Sequence, residues 1–169
     1  SNIVNISNLS NKNFECTEKI SFFSPIWSDN GYLYIVEDSS GWWNITKIKT
    51  DDNNNLISIT QNQWPLKADI GFPQWVLGMS SFSCSGDEIV GIFAQEGIWT
   101  LAVFQKNGSI QIVDQPFIEF SGLCINQNRL VAIASSAEIG EGIFEIDMLS
   151  KRWDHTSASI FSLAPQQIT

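Results

Sequence analysis

The sequence predicts an all-β fold, a β-propeller of four-stranded antiparallel blades. Three observations carry that expectation. Runs of four to eight residues rich in Ile, Val, Phe, Tyr and Trp recur along the 169 residues, each bounded by Gly, Asn, Asp or Ser. No stretch of about eleven residues keeps apolar positions at i, i+3, i+4 and i+7 without an interrupting glycine or proline, so helix should be scarce. Pro25-Ile26-Trp27 returns 48 residues later as Pro73-Gln74-Trp75, and Trp43 and Trp99 take equivalent places on the strands that follow. A module of about 45 residues with four antiparallel strands is a propeller blade, and radial stacking of blades buries both faces of each sheet. A β-sandwich shares the rhythm of strands and turns but does not require the repeated Pro-x-Trp.

The elements follow in order. Residues 32–36, 43–48 and 56–60 form the first set of strands, joined by Asp38-Ser39-Ser40-Gly41 and by the Asp- and Asn-rich stretch 51–55. Residues 88–93, 98–104 and 110–113 form the second, with turns at Gln95-Glu96-Gly97 and Lys106-Asn107-Gly108. Residues 130–134, 143–146 and 152–156 form the third, whose repeat is shorter and lacks a Pro-x-Trp; Pro116 and Phe117 stand near its start. The five prolines are expected at joints outside the strands, where the missing donor does no harm. The continuous apolar run at 32–36 suits a strand buried on both faces.

Composition narrows the function. Hydrophobic residues make up 43% and charged residues 16%, as in a globular protein, and no run approaches the roughly 18 apolar residues of a membrane span. The net charge is -9 and the nine Lys and Arg are spread singly, which excludes the basic stripe needed to neutralise nucleic-acid phosphates. Cys16, Cys84 and Cys124 are odd in number and widely spaced, so neither a disulfide framework nor a zinc site is expected; they read as reduced, buried thiols. No basic and then apolar leader opens the chain, Ser1-Asn2 reads as a cut point, and a cytoplasmic location is the default expectation.

Catalytic patterns are missing. His155 is the sole histidine and would have to serve any Ser-His-Asp triad alone. Gly78-Met79-Ser80-Ser81-Phe82 lacks the final glycine of a G-x-S-x-G elbow, and Trp153-Asp154 stands without the Gly-His partner of repeat propellers. Asp51-Asp52 and Asp87-Glu88 fall in turns, where solvated acids are ordinary, and 51–55 lacks the glycine and terminal glutamate of an EF-hand loop. Sequons occur at Asn5, Asn8, Asn44 and Asn107. No catalytic, cofactor-binding or metal-ligating residue is expected, and the chain reads as a non-catalytic β module.

Several stretches, in order, resemble the propeller domain of the prolyl oligopeptidase family of serine peptidases, in its acylaminoacyl-peptidase and dipeptidyl-peptidase-like branch. Trp27-Ser28-Asp29-Asn30-Gly31 resembles the family's W-S-P-D-G turn. Leu33-Tyr34-Ile35-Val36-Glu37-Asp38 followed by Gly41-Trp42-Trp43-Asn44 resembles L-Y-F-V-S-D-R-x-G-W-W-N-L-Y. Phe72-Pro73-Gln74-Trp75-Val76-Leu77-Gly78 is similar to P-x-W-x-F-G, Ile98-Trp99-Thr100-Leu101 to the next tryptophan strand, and the tail 162–168 to the linker before the hydrolase domain. Asn30, Asp29, Thr46 and Ala68-Asp69 depart from the family pattern.

The resemblance implies the last part of a propeller, a partial and open β-propeller of about three four-stranded antiparallel blades with a remnant of a preceding blade. Residues 1–22 are expected to be the blade remnant, with strands at 3–7 and 14–19. Residues 23–62, 63–115 and 116–158 would be three blades, and 159–169 a linker toward an α/β-hydrolase domain of the same parent chain. The implied role is to gate peptide access to that domain and to support substrate binding, without cofactor, membrane or nucleic acid. The alternative is a self-contained propeller that binds protein or glycan partners. An unclosed propeller exposes apolar faces on its end blades, so the isolated fragment is expected to self-associate. Neighbours on a strand point to opposite faces, so Trp42 and Trp43 cannot form one stacking surface. One ring is expected to fill the interface with the next blade; the other, with Asn44, fixes the turn or reaches the channel. Trp42 and Asn44 are therefore the substrate-facing candidates.

Overall fold

The computed structural model describes residues 20–149, apart from 54, 62, 74, 76, 77 and 139, and the strand at 152–157. The stretches 1–19 and 158–169, with the expected upstream strands, Cys16 and the whole of the expected linker, lie outside the described residues. Among the described residues, twelve strands form three four-stranded antiparallel sheets, each a simple meander. The first sheet holds β1 (Phe22–Trp27), β2 (Tyr32–Glu37), β3 (Asn44–Thr50) and β4 (Leu56–Thr60). The second holds β5 (Phe82–Ser85), β6 (Glu88–Gln95), β7 (Ile98–Phe104) and β8 (Ile110–Ile112). The third holds β9 (Glu119–Asn126), β10 (Arg129–Ser135), β11 (Gly142–Asp147) and β12 (Arg152–Ser157).

The sheets are arranged radially. Contacts run from β1 to β5 and from β5 to β9, so the first strand of each sheet lies beside the first strand of the next, around a common axis. Serines tie these inner edges together. Alternate N–H groups of β9 point away from β10, and the Ser83 and Ser85 hydroxyls accept from Ile125 and Gln127 at 3.1 Å each. Between the first two sheets, the Ser28 hydroxyl donates to the Gly86 carbonyl.

Burial explains the hydropathy of each strand. One core joins Tyr34, Val36 and Ile45 of the first sheet to Phe82, Ile89 and Phe104 of the second. Another joins Val90, Ile92 and Leu101 to Leu123, Leu130 and Ile146 of the third. Leu33, Ile35 and Ile48 bury the remaining face of the first sheet against Phe22, Leu56 and Ile59. Thus β2 and β6, interior on both faces, read as continuous apolar runs, whereas β10 alternates between buried and more exposed residues. The far face of the third sheet is open: Ile133 is 40% exposed, and Arg129 grips Glu145 bidentately there at 2.6 and 2.7 Å.

Three expectations are corrected. Pro25 lies inside β1, not at a joint; it sits at a bulge where the register slips between Phe23 and Ile26 and Ser24 takes φ 50°, so no ladder donor is lost. Cys124 is exposed, because alternate β9 residues face the open side of the third sheet; Cys84 is half-buried, and burial pushes its thiol pKa up. Pro25-Ile26-Trp27 and Pro73-Gln74-Trp75 are not equivalent, since Trp27 ends β1 while Trp75 lies in the connection before β5. What repeats instead is an aromatic pair: Phe23 packs on Trp43 at 4.8 Å between ring centroids, and Phe72 on Trp99 at 5.0 Å.

Close packing predicts one mutational result. Gly91 on β6 faces Phe82 on β5, and an added Cβ would stand 3.0 Å from the Phe104 ring, 3.2 Å from the Phe82 Cβ and 3.4 Å from the Ser81 carbonyl. Gly91→Ala should cost about 1–3 kcal/mol in urea denaturation. Gly140→Ala, with nothing within 4 Å of the new methyl, should leave the midpoint almost unchanged.

Candidate functional site

Strand alternation sends the β1–β2, β3–β4, β5–β6 and β7–β8 turns to one end of the sheets. The β2–β3 and β6–β7 turns go to the other end, as does the β4–β5 crossover from Leu66 onward, after Gln63 and Trp64 have donated to the Lys106 and Gln105 carbonyls of the β7–β8 turn; Gly41-Trp42-Trp43-Asn44 lies at that other end. Gly41, at φ +83°, closes the β2–β3 turn with its N–H on the Asp38 carbonyl at 2.9 Å. Trp42 follows in the bend before β3 and is 41% exposed. Trp43, also ahead of β3, is half-buried against the core between the first two sheets.

Trp43 and Asn44 anchor the crossover. The Trp43 N–H donates to Asp69 Oδ1 at 3.1 Å, and its carbonyl accepts from Ile70 at 2.7 Å. Asn44, only 2% exposed, donates through Nδ2 to the carbonyls of Leu66 at 3.1 Å and Ala68 at 3.5 Å, while its Oδ1 accepts from the Leu66 N–H. Asp69 in turn exchanges two backbone hydrogen bonds with Ala94 of β6. Asn44 thus spends its amide inside the protein, which also withdraws its sequon from modification in the folded chain; Trp42 presents its ring to solvent.

The same crossover carries Trp75, 84% exposed, and leads to a cleft of about 280 Å³ between the second and third sheets. Phe72, Trp99 and Phe120 line its aromatic side, beside Met79 and Ile133. Glu119 and Glu141 supply two carboxylates, no lysine or arginine among the described residues lines it, and Ser135 donates to Glu119 at 3.2 Å. An apolar wall with unneutralised acids suits a ligand that joins a cationic group to an apolar one. Sequence reasoning named Trp99 for its strand and missed both glutamates, which lie 22 positions apart and meet only because β9 pairs with β10 and β10 leads into the β11 turn.

The residues weighed for catalysis are not assembled. Ser80 donates to the Phe82 carbonyl at 2.8 Å just ahead of the innermost strand of the second sheet. His155 sits on β12, the outermost strand of the third. Among the described residues, no group of three or more His, Cys, Asp or Glu is placed to hold a metal ion.

No protein-family model and no curated protein matches the chain by sequence. Solved structures do match its fold. A Mycobacterium tuberculosis puromycin-hydrolysing peptidase superposes with TM-score 0.71 at 21% identity, over 86% of this chain and 22% of its own. TolB from Acinetobacter baumannii gives 0.57 at 10% identity, over 82% of this chain and 33% of its own. The fold is an open β-propeller segment. A structure from work on two prolyl endopeptidases gives 0.58 at 13% identity, over 82% of this chain and 20% of its own. The propeller segment therefore spans about a fifth to a third of the solved chains it matches. Its likeness to peptidase chains agrees with the prolyl oligopeptidase resemblance carried by the Gly41-Trp42-Trp43-Asn44 stretch. In these terms each sheet is a blade, and Trp42, Trp75 and the acidic cleft share the crossover end of the propeller.

Proposed function

We propose that this propeller segment is a non-catalytic part of a serine peptidase of the prolyl oligopeptidase family, in the acylaminoacyl- or dipeptidyl-peptidase-like branch. It gates peptide access to an α/β-hydrolase domain elsewhere in the parent chain and holds part of the substrate. The observation that carries this reading is the superposition on peptidase chains of which the segment spans about a fifth. The cleft of Phe72, Trp99, Glu119 and Glu141 supports it, because a basic side chain or amino terminus beside an apolar residue complements that lining.

The isolated chain should hydrolyse no aminoacyl or acyl-peptide reporter. In the parent enzyme, the paired changes Glu119→Gln and Glu141→Gln should raise KM about five- to tenfold for peptides with a basic residue, roughly 1–1.4 kcal/mol, and leave small neutral reporters unchanged. Turnover by the isolated chain that disappears on Ser80→Ala or His155→Ala would overturn the non-catalytic reading. A parent sequence without a G-x-S-x-G elbow followed by Asp and His would instead favour a propeller that binds partners on its own.

A further inference from the structure

A second cleft, of about 450 Å³, opens between the second and third sheets at the tight-turn end, opposite the end that holds the Phe72-Trp99 cleft. Its walls are apolar where they continue the core between those sheets, with Val103, Val113, Ile146 and Met148 facing it. Glu88 breaks that pattern. Side chains alternate along β6, and Val90 and Ile92 belong to the core between the second and third sheets, so Glu88 stands on the same face, at the end of an apolar row. It is half-buried, and burial raises its carboxyl above the ordinary 4.5.

The neighbouring charges do not neutralise it. Lys106, the one cation lining the cleft among the described residues, is bound to Asp87 Oδ2 at 2.9 Å, and Asn30 donates to Asp87 Oδ1 at 2.7 Å. Gln105 and Gln111 are hydrogen-bonded to each other at 3.0 Å. Asp114, also on the lining, adds a further acid. Among the described residues no donor reaches the Glu88 carboxylate. An unpaired carboxylate costs least in solvent; one kept half-buried at the end of an apolar row, beside a cavity of ligand size, marks a place where a cation is received.

We infer that this cleft binds a small organic cation, an ammonium group on an aliphatic or aromatic body, with Glu88 receiving the charge and Val103, Val113, Ile146 and Met148 covering the body. The site is separate from the crossover end and does not rest on the peptidase reading.

The probe is 4-phenylbutylamine, with 4-phenylbutan-1-ol as its uncharged counterpart, titrated calorimetrically into the 169-residue chain at neutral pH and low salt. The amine should bind at least tenfold more tightly than the alcohol, and methyl resonances of Val103, Val113, Ile146 and Met148 should shift on its addition. Glu88→Gln should bring the amine down to the affinity of the alcohol and leave the alcohol unchanged. A folded-state pKa above the unfolded value means that Glu88 opposes folding once it ionises, so Glu88→Gln should melt a few degrees higher near neutral pH. That advantage should fade as pH falls through the raised value and vanish below 4.5, where the carboxyl becomes protonated in both states. Amine affinity should fall over the same acid range. Equal affinity for amine and alcohol, unchanged amine affinity in Glu88→Gln, or shifts confined to other methyls would each overturn the site.

Discussion

Trp64→Ala should cost about 3–5 kcal/mol and lower the melting temperature by roughly 6–20 °C, the largest loss expected from any single truncation of the crossover. Trp64 is 2% exposed, its ring centroid lies 6.0 Å from Phe104 and 6.5 Å from Tyr34, and its indole N–H donates to the Gln105 carbonyl at 2.6 Å. It fills the space between two sheets. Burial in the same core pushes the Tyr34 phenol up to about 12. Trp75→Ala, at an 84% exposed position in the same connection, should change stability by no more than about 0.5 kcal/mol. Parallel thermal and urea melts of the two variants test the contrast; equal losses would remove Trp64 from the inter-sheet core.

Asn44→Leu should be nearly as damaging, at roughly 2–4 kcal/mol. The change keeps the four side-chain heavy atoms and their branching at Cγ but leaves the Leu66 N–H and the carbonyls of Leu66 and Ala68 without their partner in a buried setting. The damage should be local first. Limited proteolysis of the variant should cut within residues 61–81 well before the sheets open, whereas Trp42→Ala should leave the digestion pattern and stability close to those of the parent chain. A variant that kept its resistance at 61–81 would mean that Asn44 does not hold the crossover.

The outer three strands of each sheet were legible because their apolar runs and Gly or Asn turns are local signals. The innermost strands were not. Phe22–Trp27 carries a serine and a proline, Phe82–Ser85 alternates with serine, and Glu119–Asn126 contains Ser121 and Gly122. Those residues serve a strand whose outer edge faces the axis, where hydroxyls satisfy the neighbouring backbone, and such a pattern resembles loop. The crossover was illegible for a different reason: Trp64 is buried by two sheets distant in sequence, and nothing around it is periodic. Gly41-Trp42-Trp43-Asn44 was legible as a marker. Its physical task emerged only from the partners of Asn44 and Trp43, Leu66 through Ile70.

That crossover sets how the molecule comes apart. Residues 61–81 lie between the first and second sheets, contribute Trp64, Ala68 and Ile70 to their common core, and fasten to both through Asn44 and Ala94. The link between the second and third sheets spans only 113–118, and the inner edges there are joined by two serine hydroxyls. The first two sheets should therefore hold together through the crossover as well as through their core, while the third relies on the core it shares with the second and on those hydroxyls. Slow amide exchange in the crossover should match that of the first two sheets.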